Sequence, residues 1–244
     1  MLIKKIKQRV EKFKTENEGI IKEKELKGNL FKRWGRYITI PPTRWIYKNT
    51  NLRPNQLTVF VIIWGYLTAY LFTKGTYTYI LIGAISLLLN NWADYIDGSL
   101  ARMQKSSSKF GAWIDHVPDV FKFSLVIGTL TFGLFKTTNN TQIIIFGALA
   151  VTSYVMTNYI YIFFKHEFPY ADEVIEETKG ASLVMKNFFY DAPFIVWSLL
   201  LAAIFGRTYE LIIFYGIYGW IYNIGAYFML TRKILQHEKK SKIF

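Results

Sequence analysis

Six long runs of apolar residues alternate with short polar stretches along most of this chain of 244 residues. The hydrocarbon core of a bilayer needs about 20 apolar residues per helix, and each run approaches that length. Runs such as "FSLVIGTLTFGLF" lack the polar positions at a 3.6-residue period that a surface helix of a soluble all-α protein would show. The pattern therefore predicts six transmembrane helices, at about 57–73, 77–98, 111–135, 142–164, 188–206 and 209–231.

Two polar segments precede the first predicted helix. The opening residues alternate Lys and Glu with isolated apolar residues, which is typical of a charged surface arm. The next segment mixes aromatic residues with Arg and Lys, as in an amphipathic segment in the headgroup layer, and Pro41 and Pro42 are expected to break it into two short pieces. The predicted organisation is a cytoplasmic arm at 1–30, an interfacial segment at 31–50, a six-helix domain at 51–235 and a basic tail at 236–244.

Basic residues are distributed unevenly around the predicted helices. The net charge is +13, and 26 of the 30 Lys and Arg residues fall on one side of the membrane, against Lys74, Lys136 and Arg207 on the other. By the positive-inside rule, this bias predicts a multi-pass protein with both termini in the cytoplasm. Because these charges flank membrane helices, their predicted partner is the anionic lipid surface and not nucleic acid. Cysteine is absent, which excludes disulfides and thiolate chemistry.

Four aspartates lie in the second and third predicted helices, where charge is costly. Helical spacing places them on two stripes that also contain small residues. The polar connection between these helices has only eight residues, so we expect antiparallel neighbours whose aspartates face each other near the cytoplasmic surface. One stripe contains Asp94, Asp97, Gly98 and Ala101 with Arg102 beside it, and the other contains Gly111, Asp115 and Asp119.

The aspartate pattern predicts a metal site. Four carboxylates in one pocket repel each other, so a cation must compensate them. Oxygen ligands without Cys or a His pair favour hard divalent ions such as Mg²⁺, Mn²⁺ or Ca²⁺ over Zn²⁺. Two such ions suit phosphoryl transfer, because they stabilise both the attacking and the leaving oxygen. The small residues would leave room for a substrate, and Arg102 would donate to its phosphate.

Two other interpretations use the same aspartates. They could form salt bridges at the helix ends with Arg102 and Lys122, although four acids on matching stripes exceed what that role needs. They could instead line a path for ions or protons, which would need further acids toward the outer face. Only Asp191 and Glu210 are candidates there.

The spacing resembles a family signature. The chain matches D-x2-D-G-x2-A-R-x8-G-x3-D-x3-D at every fixed position between 94 and 119. This pattern is similar to that of the CDP-alcohol phosphotransferases, also called CDP-alcohol phosphatidyltransferases, which are integral membrane enzymes of phospholipid synthesis. The stretch "RPNQLT" resembles the Pro-Asn-x-x-Thr segment that opens their first helix. The resemblance covers about 50–235 and implies an all-α membrane protein of six transmembrane helices.

The resemblance also implies roles for the matching residues. Asp94, Asp97 and Asp115 would bind two Mg²⁺ or Mn²⁺ ions, and Asp119 would be both a ligand and the general base for the acceptor hydroxyl. Attack at the β-phosphorus of the donor would then release CMP. The nucleotide and donor site would include Asn55, Thr58, Gly98, Ala101, Arg102, Ser108 and Gly111.

The resemblance leaves two substrate pairs open. CDP-diacylglycerol or its archaeal ether analogue could react with a small polar alcohol, an inositol phosphate or a glycerol phosphate, which is the version favoured by family frequency. Alternatively, a CDP-linked choline or ethanolamine headgroup could be transferred to a lipid alcohol. A homodimer is expected by analogy with the family, with the active site in the cytoplasm. Candidate acceptor residues are His116, Lys122, Asn158 and Lys165.

Two residues of the third predicted helix have further interpretations. Lys122 lies one turn beyond Asp119 on the same stripe, so it could also serve as a countercharge to that carboxylate. Pro118 leaves the carbonyl of Ile114 without its helical hydrogen bond and is expected to bend the helix between the two aspartates.

Overall fold

A computed structural model of the chain describes residues 30–106, 109–171, 173–175 and 190–241. Three predicted features lie outside the described residues. They are Ser108, the arm at 1–30 except for Leu30, and the end of the basic tail. Every regular element within the described ranges is an α-helix. These helices are α1 (Leu30–Asn49), α2 (Pro54–Phe72), α3 (Tyr77–Met103), α4 (Lys109–Thr138), α5 (Gln142–Glu167), α6 (Ala192–Ile204) and α7 (Thr208–Ser241).

Five of these helices, α2, α3, α4, α5 and α7, are long and apolar enough to cross a membrane. The sixth, α6, is apolar throughout but has only 13 residues. Large apolar side chains such as Phe60, Leu67 and Ile145 are more than half exposed on the outer surface of the bundle, as expected for helices that contact lipid. The predicted all-α membrane fold is therefore confirmed, with α6 as the plausible sixth span.

α6 begins later than its apolar run, at a helix cap. The Asp191 carboxylate accepts a hydrogen bond from the backbone N–H of Phe194 at 3.2 Å, and Pro193 occupies the first turn. Asp191 therefore lies at the start of α6, on the same side of the membrane as the end of α5. The sequence interpretation that counted Asp191 among acids toward the outer face is wrong.

α1 is a single helix that passes through Pro41 and Pro42, so the prediction that these prolines break it is also wrong. Both prolines are exposed, so the carbonyls that lose their helical hydrogen bonds face away from the protein, where water or headgroups can satisfy them. The opposite face packs against α3 and buries Ile40 and Thr43. This packing stabilises α1 as one helix, although the two prolines lack backbone N–H donors.

The six membrane helices form a ring. In the described residues, α2 packs against α3 and α4, α5 against α4 and α7, and α6 against α3 and α7. One core fills the ring and includes Leu87 of α3, Ile127 of α4 and Ile195 of α6. α3 and α4 both pack along α2 and contribute side chains to the same core. That their aspartates face each other stays a prediction.

Short connections make α2, α3, α4 and α5 successively antiparallel, and α6 and α7 are antiparallel for the same reason. The start of α2, the end of α3, the start of α4 and the end of α5 therefore meet at one end of the bundle. A hydrogen bond ties two of these elements together, since the Gln104 side chain donates to the Leu52 carbonyl at 3.0 Å. All four predicted aspartates belong to this end, which we call the aspartate end.

The opposite end contains a close contact between the turn after α2 and the last turns of α4. Gly75 has a positive φ of 69°, and an added Cβ at Gly133 would overlap the backbone carbonyl of Phe72. The two backbones therefore touch where neither glycine can be replaced without movement.

Replacing Gly133 with Ala is expected to lower the free energy of unfolding by roughly 1–3 kcal/mol, because the methyl group must push the turn away from α4. Thermal unfolding of the protein in detergent measures the effect. Gly128→Ala is the matched control on the same helix, since a Cβ there meets no atom within 4 Å in the described residues. Equal unfolding temperatures for the two variants would contradict this account of the turn.

Candidate active site

The stripe on α3 that contains Asp94, Asp97, Gly98 and Ala101, here called the α3 stripe, places two carboxylates at different depths. Asp97 is only 3% exposed, whereas Asp94 is half-buried. A carboxylate as deeply buried as that of Asp97 is unfavourable unless charges or hydrogen bonds compensate it. The α3 stripe therefore has the burial expected of a site that binds cations.

The next turn of α3 leaves open space beside a guanidinium group. In the described part of the chain, a Cβ added at Gly98 would meet only Nη1 of Arg102, at 3.7 Å. Arg102 is half-buried, and its Nη2 donates to the Ser99 hydroxyl oxygen at 3.1 Å. Ala101, the other small residue of the stripe, is also half-buried. Among the described residues, the backbone at Gly98 and the Arg102 guanidinium thus border a gap.

The stripe on α4 that contains Gly111, Asp115 and Asp119, here called the α4 stripe, includes one side of an ion pair. Nζ of Lys122 lies 2.5 Å from Oδ1 of Asp119, with the lysine side chain 2% and the aspartate side chain 26% exposed. Gly65 of α2 makes the pair possible, because a Cβ there would overlap the Lys122 side chain. The interpretation of Lys122 as a countercharge to Asp119 is confirmed. Its role toward an acceptor stays a prediction.

The first half of α4 contains the other predicted aspartates and the proline between them. α4 continues through Pro118 without interruption, and Gly111 is half-buried. The side chain of Asp115 lies outside the described residues. Among the side chains that are described, no three His, Asp or Glu residues lie close enough to hold a metal ion. The four-carboxylate metal site therefore stays a prediction, and its ligand set, oxygen only and partly buried, has the chemistry that Mg²⁺ and Mn²⁺ prefer.

α5 contributes a residue that the sequence does not single out. Tyr154 is 3% exposed and packs against Phe123, with 5.9 Å between the ring centroids. Phe123 follows Lys122 in α4, and its ring centre lies 5.1 Å from Nζ of that lysine, so Tyr154 lies near the Lys122–Asp119 pair. One turn further, Nδ2 of Asn158 donates to the Tyr154 carbonyl at 2.9 Å, which places this predicted acceptor residue on the same part of α5. A tyrosine inside an apolar run is usually a packing residue, so no sequence signal could have identified it.

The remaining predicted residues lie around the aspartate end. Asn55 is exposed in the first turn of α2, and Thr58 is half-buried with its hydroxyl donating to the Pro54 carbonyl at 3.1 Å. His116 of α4 and Lys165 near the end of α5 are exposed. All four residues therefore lie at the aspartate end of the bundle. Their roles in binding stay predictions.

Comparison with known proteins identifies the family. A sequence model described as CDP-alcohol phosphatidyltransferase matches residues 51–229, which include both aspartate stripes. The chain belongs to the CDP-alcohol phosphatidyltransferase family, and the resemblance seen in the sequence is confirmed. It is also similar to the "Bifunctional IPC transferase and DIPP synthase" of Aquifex aeolicus (strain VF5), with 41% identity over 66 residues. That match covers 27% of this chain and only 14% of the relative.

Proposed function

We propose that this protein transfers a substituted phosphate from a CDP-linked donor to an alcohol and releases CMP, as a step of phospholipid synthesis. The observation that carries the proposal is the family match over residues 51–229, which encloses the buried Asp97 and the gap beside Gly98 and Arg102. The similar protein from Aquifex aeolicus is named as a transferase and synthase, which agrees with a transfer reaction.

The donor would enter the gap on α3. Its diphosphate would lie beside the Arg102 guanidinium, which offers paired N–H donors to phosphate oxygens. Gly98 would let the nucleotide approach the helix backbone, because no side chain fills that position. The other residues proposed to contact the nucleotide are Asn55, Thr58, Ala101, Ser108 and Gly111.

Two Mg²⁺ or Mn²⁺ ions would be held by Asp94, Asp97, Asp115 and Asp119. When bound, these ions would neutralise the diphosphate and stabilise CMP as it leaves. The proposal draws its support from the oxygen-only ligand set and from the burial of Asp97.

Asp119 would take the proton of the acceptor hydroxyl. The acceptor oxygen would form a bond to the β-phosphorus, and the bond from that phosphorus to the bridging oxygen of CMP would break, with its electron pair leaving on CMP. Lys122 engages Oδ1 of Asp119, so we assign the proton to Oδ2.

CDP-diacylglycerol or its archaeal ether analogue is the donor we favour, with a small polar alcohol, an inositol phosphate or a glycerol phosphate as the acceptor. Acceptor recognition would involve His116, Lys122, Asn158 and Lys165. The aspartate end, and with it both termini and the active site, would face the cytoplasm, where most of the basic residues lie.

A product assay tests this choice of substrates. Purified protein in lipid vesicles would be given CDP-diacylglycerol with a panel of polar alcohols, and separately CDP-choline or CDP-ethanolamine with diacylglycerol. Mass spectrometry of the lipid product would identify the pair. A phosphatidyl product in the first set supports the proposal, whereas a product only in the second set would reassign the donor to a CDP-linked headgroup.

Replacing Gly98 with Ala should leave the fold intact and impair donor binding. Among the described residues, the methyl group meets only the Arg102 guanidinium, at an ordinary contact distance, and alanine favours the helix over glycine by about 1 kcal/mol. The same methyl group occupies the space proposed for the donor, so KM for the donor should rise roughly tenfold, equivalent to about 1.4 kcal/mol. Steady-state kinetics with Gly128→Ala as the control measures the change, and a donor KM equal to wild type would contradict this placement.

A further inference from the structure

Arg36 of α1 points into the protein and not toward the headgroups. It is only 6% exposed, and its Nη1 donates to the Tyr95 carbonyl at 2.7 Å and to the Ser99 hydroxyl oxygen at 3.0 Å. The guanidinium carbon also lies 4.6 Å from the centre of the Tyr95 ring. An arginine in an interfacial helix normally extends into the headgroup layer, so this inward contact needs another explanation.

Ser99 connects Arg36 to the proposed donor site. Its hydroxyl oxygen accepts hydrogen bonds from Nη1 of Arg36 and from Nη2 of Arg102. A hydroxyl oxygen has two acceptor positions, and both are used here by guanidinium groups from different helices. Ser99 is itself 1% exposed, so water does not compete for these hydrogen bonds. The orientation of Arg102 is therefore coupled to the position of α1.

Gly35 allows α1 to come this close. A Cβ at this position would overlap the ring of Tyr95, so any larger residue would displace α1 or the tyrosine. The adjacent residues Gly35 and Arg36 thus dock on a single turn of α3, between Tyr95 and Ser99. This turn overlaps the one that holds Asp97 and Gly98.

We propose that Arg36 is a positioning residue of the donor site, which acts through Ser99 to hold the Arg102 guanidinium beside the gap at Gly98. This inference rests on the proposed function. Fixing a long side chain before the ligand arrives removes the entropy cost of ordering it during binding. The interfacial helix α1 lies outside the residues matched by the family, and Arg36 makes it part of the functional unit.

The test uses the full chain in lipid vesicles, with CMP release measured while the donor and then the acceptor is varied. Arg36→Gln and Ser99→Ala should each raise KM for the CDP-linked donor roughly tenfold, as expected for the loss of a hydrogen bond to a charged group. They should change kcat and the acceptor KM by less than about twofold. Arg36→Lys should recover only part of the loss, because lysine lacks the planar fork. Arg33→Gln, on the same helix and half-exposed, is the control.

A double variant separates positioning from general damage. Arg36→Gln added to Arg102→Gln should cause no further rise in donor KM, since both changes remove the same interaction. The inference would be overturned if the two changes raised the donor KM multiplicatively in the double variant. It would also be overturned if a folded Ser99→Ala variant kept the wild-type donor KM. Ser99→Ala also decides the question if Arg36→Gln does not fold. If the wild-type protein releases no CMP, the proposed function itself fails and the inference with it.

Discussion

Asp119→Asn is expected to abolish turnover, with kcat at least about 10³-fold below wild type. General-base catalysis alone contributes roughly 10²–10⁴-fold, and the variant also loses a proposed metal ligand. The change leaves Lys122, which is 2% exposed, without its countercharge, so stability should fall by on the order of 2 kcal/mol. CMP release and thermal unfolding, measured on the same preparation, give both effects.

The loss of stability and the loss of catalysis can be separated. Asp119→Asn combined with Lys122→Met removes both charges and keeps the length of the buried side chain, so the unfolding temperature should recover. Activity should not recover, because no group replaces the base. Glu210→Gln is the matched acid-to-amide control, since Glu210 is exposed at the opposite end of the bundle and pairs with Arg207 at 2.7 Å. Activity in the double variant would show that Asp119 is not the base.

Removal of divalent ions is the second change with a large expected effect. Treatment with EDTA should stop CMP release, and Mg²⁺ or Mn²⁺ should restore it, because oxygen ligands favour these hard cations. Asp97→Asn replaces one charged ligand with a neutral one, so the Mn²⁺ concentration needed for half-maximal activity should rise roughly 10- to 100-fold.

Electron paramagnetic resonance of Mn²⁺ measures binding without reference to activity. Wild type should bind two ions per chain, and Asp97→Asn should bind them more weakly at the same protein concentration. Glu210→Gln should bind like wild type. Equal Mn²⁺ affinity in Asp97→Asn and wild type would exclude Asp97 from the metal site, even if the variant were inactive for another reason.

The membrane helices and the aspartate spacing could be predicted because both are local properties of the sequence. Apolar runs reveal the spans by their length alone, and the interval from Asp94 to Asp119 sets which residues share a helix face. The pairing of Lys122 with Asp119 is similarly local, since three residues separate them on one helix. These features require no knowledge of which helices pack together.

Features that depend on packing could not be predicted. The short connection between α3 and α4 does not reveal that both helices pack along α2. Pro41 and Pro42 predict a break, yet packing on α3 keeps α1 continuous. Tyr154 and Arg36 have no motif around them, and their positions near the site follow only from the side chains that they contact.

The most direct test of the central claim is the ratio of CMP released to lipid product formed by the purified wild-type protein. The assay would contain Mg²⁺ or Mn²⁺, CDP-diacylglycerol or its ether analogue, and a panel of polar alcohols. Transfer at the β-phosphorus predicts one CMP for each new phosphodiester lipid, and neither product without acceptor or metal. Failure to release CMP with any donor and acceptor pair, or release without a lipid product that contains the acceptor, would contradict the assignment.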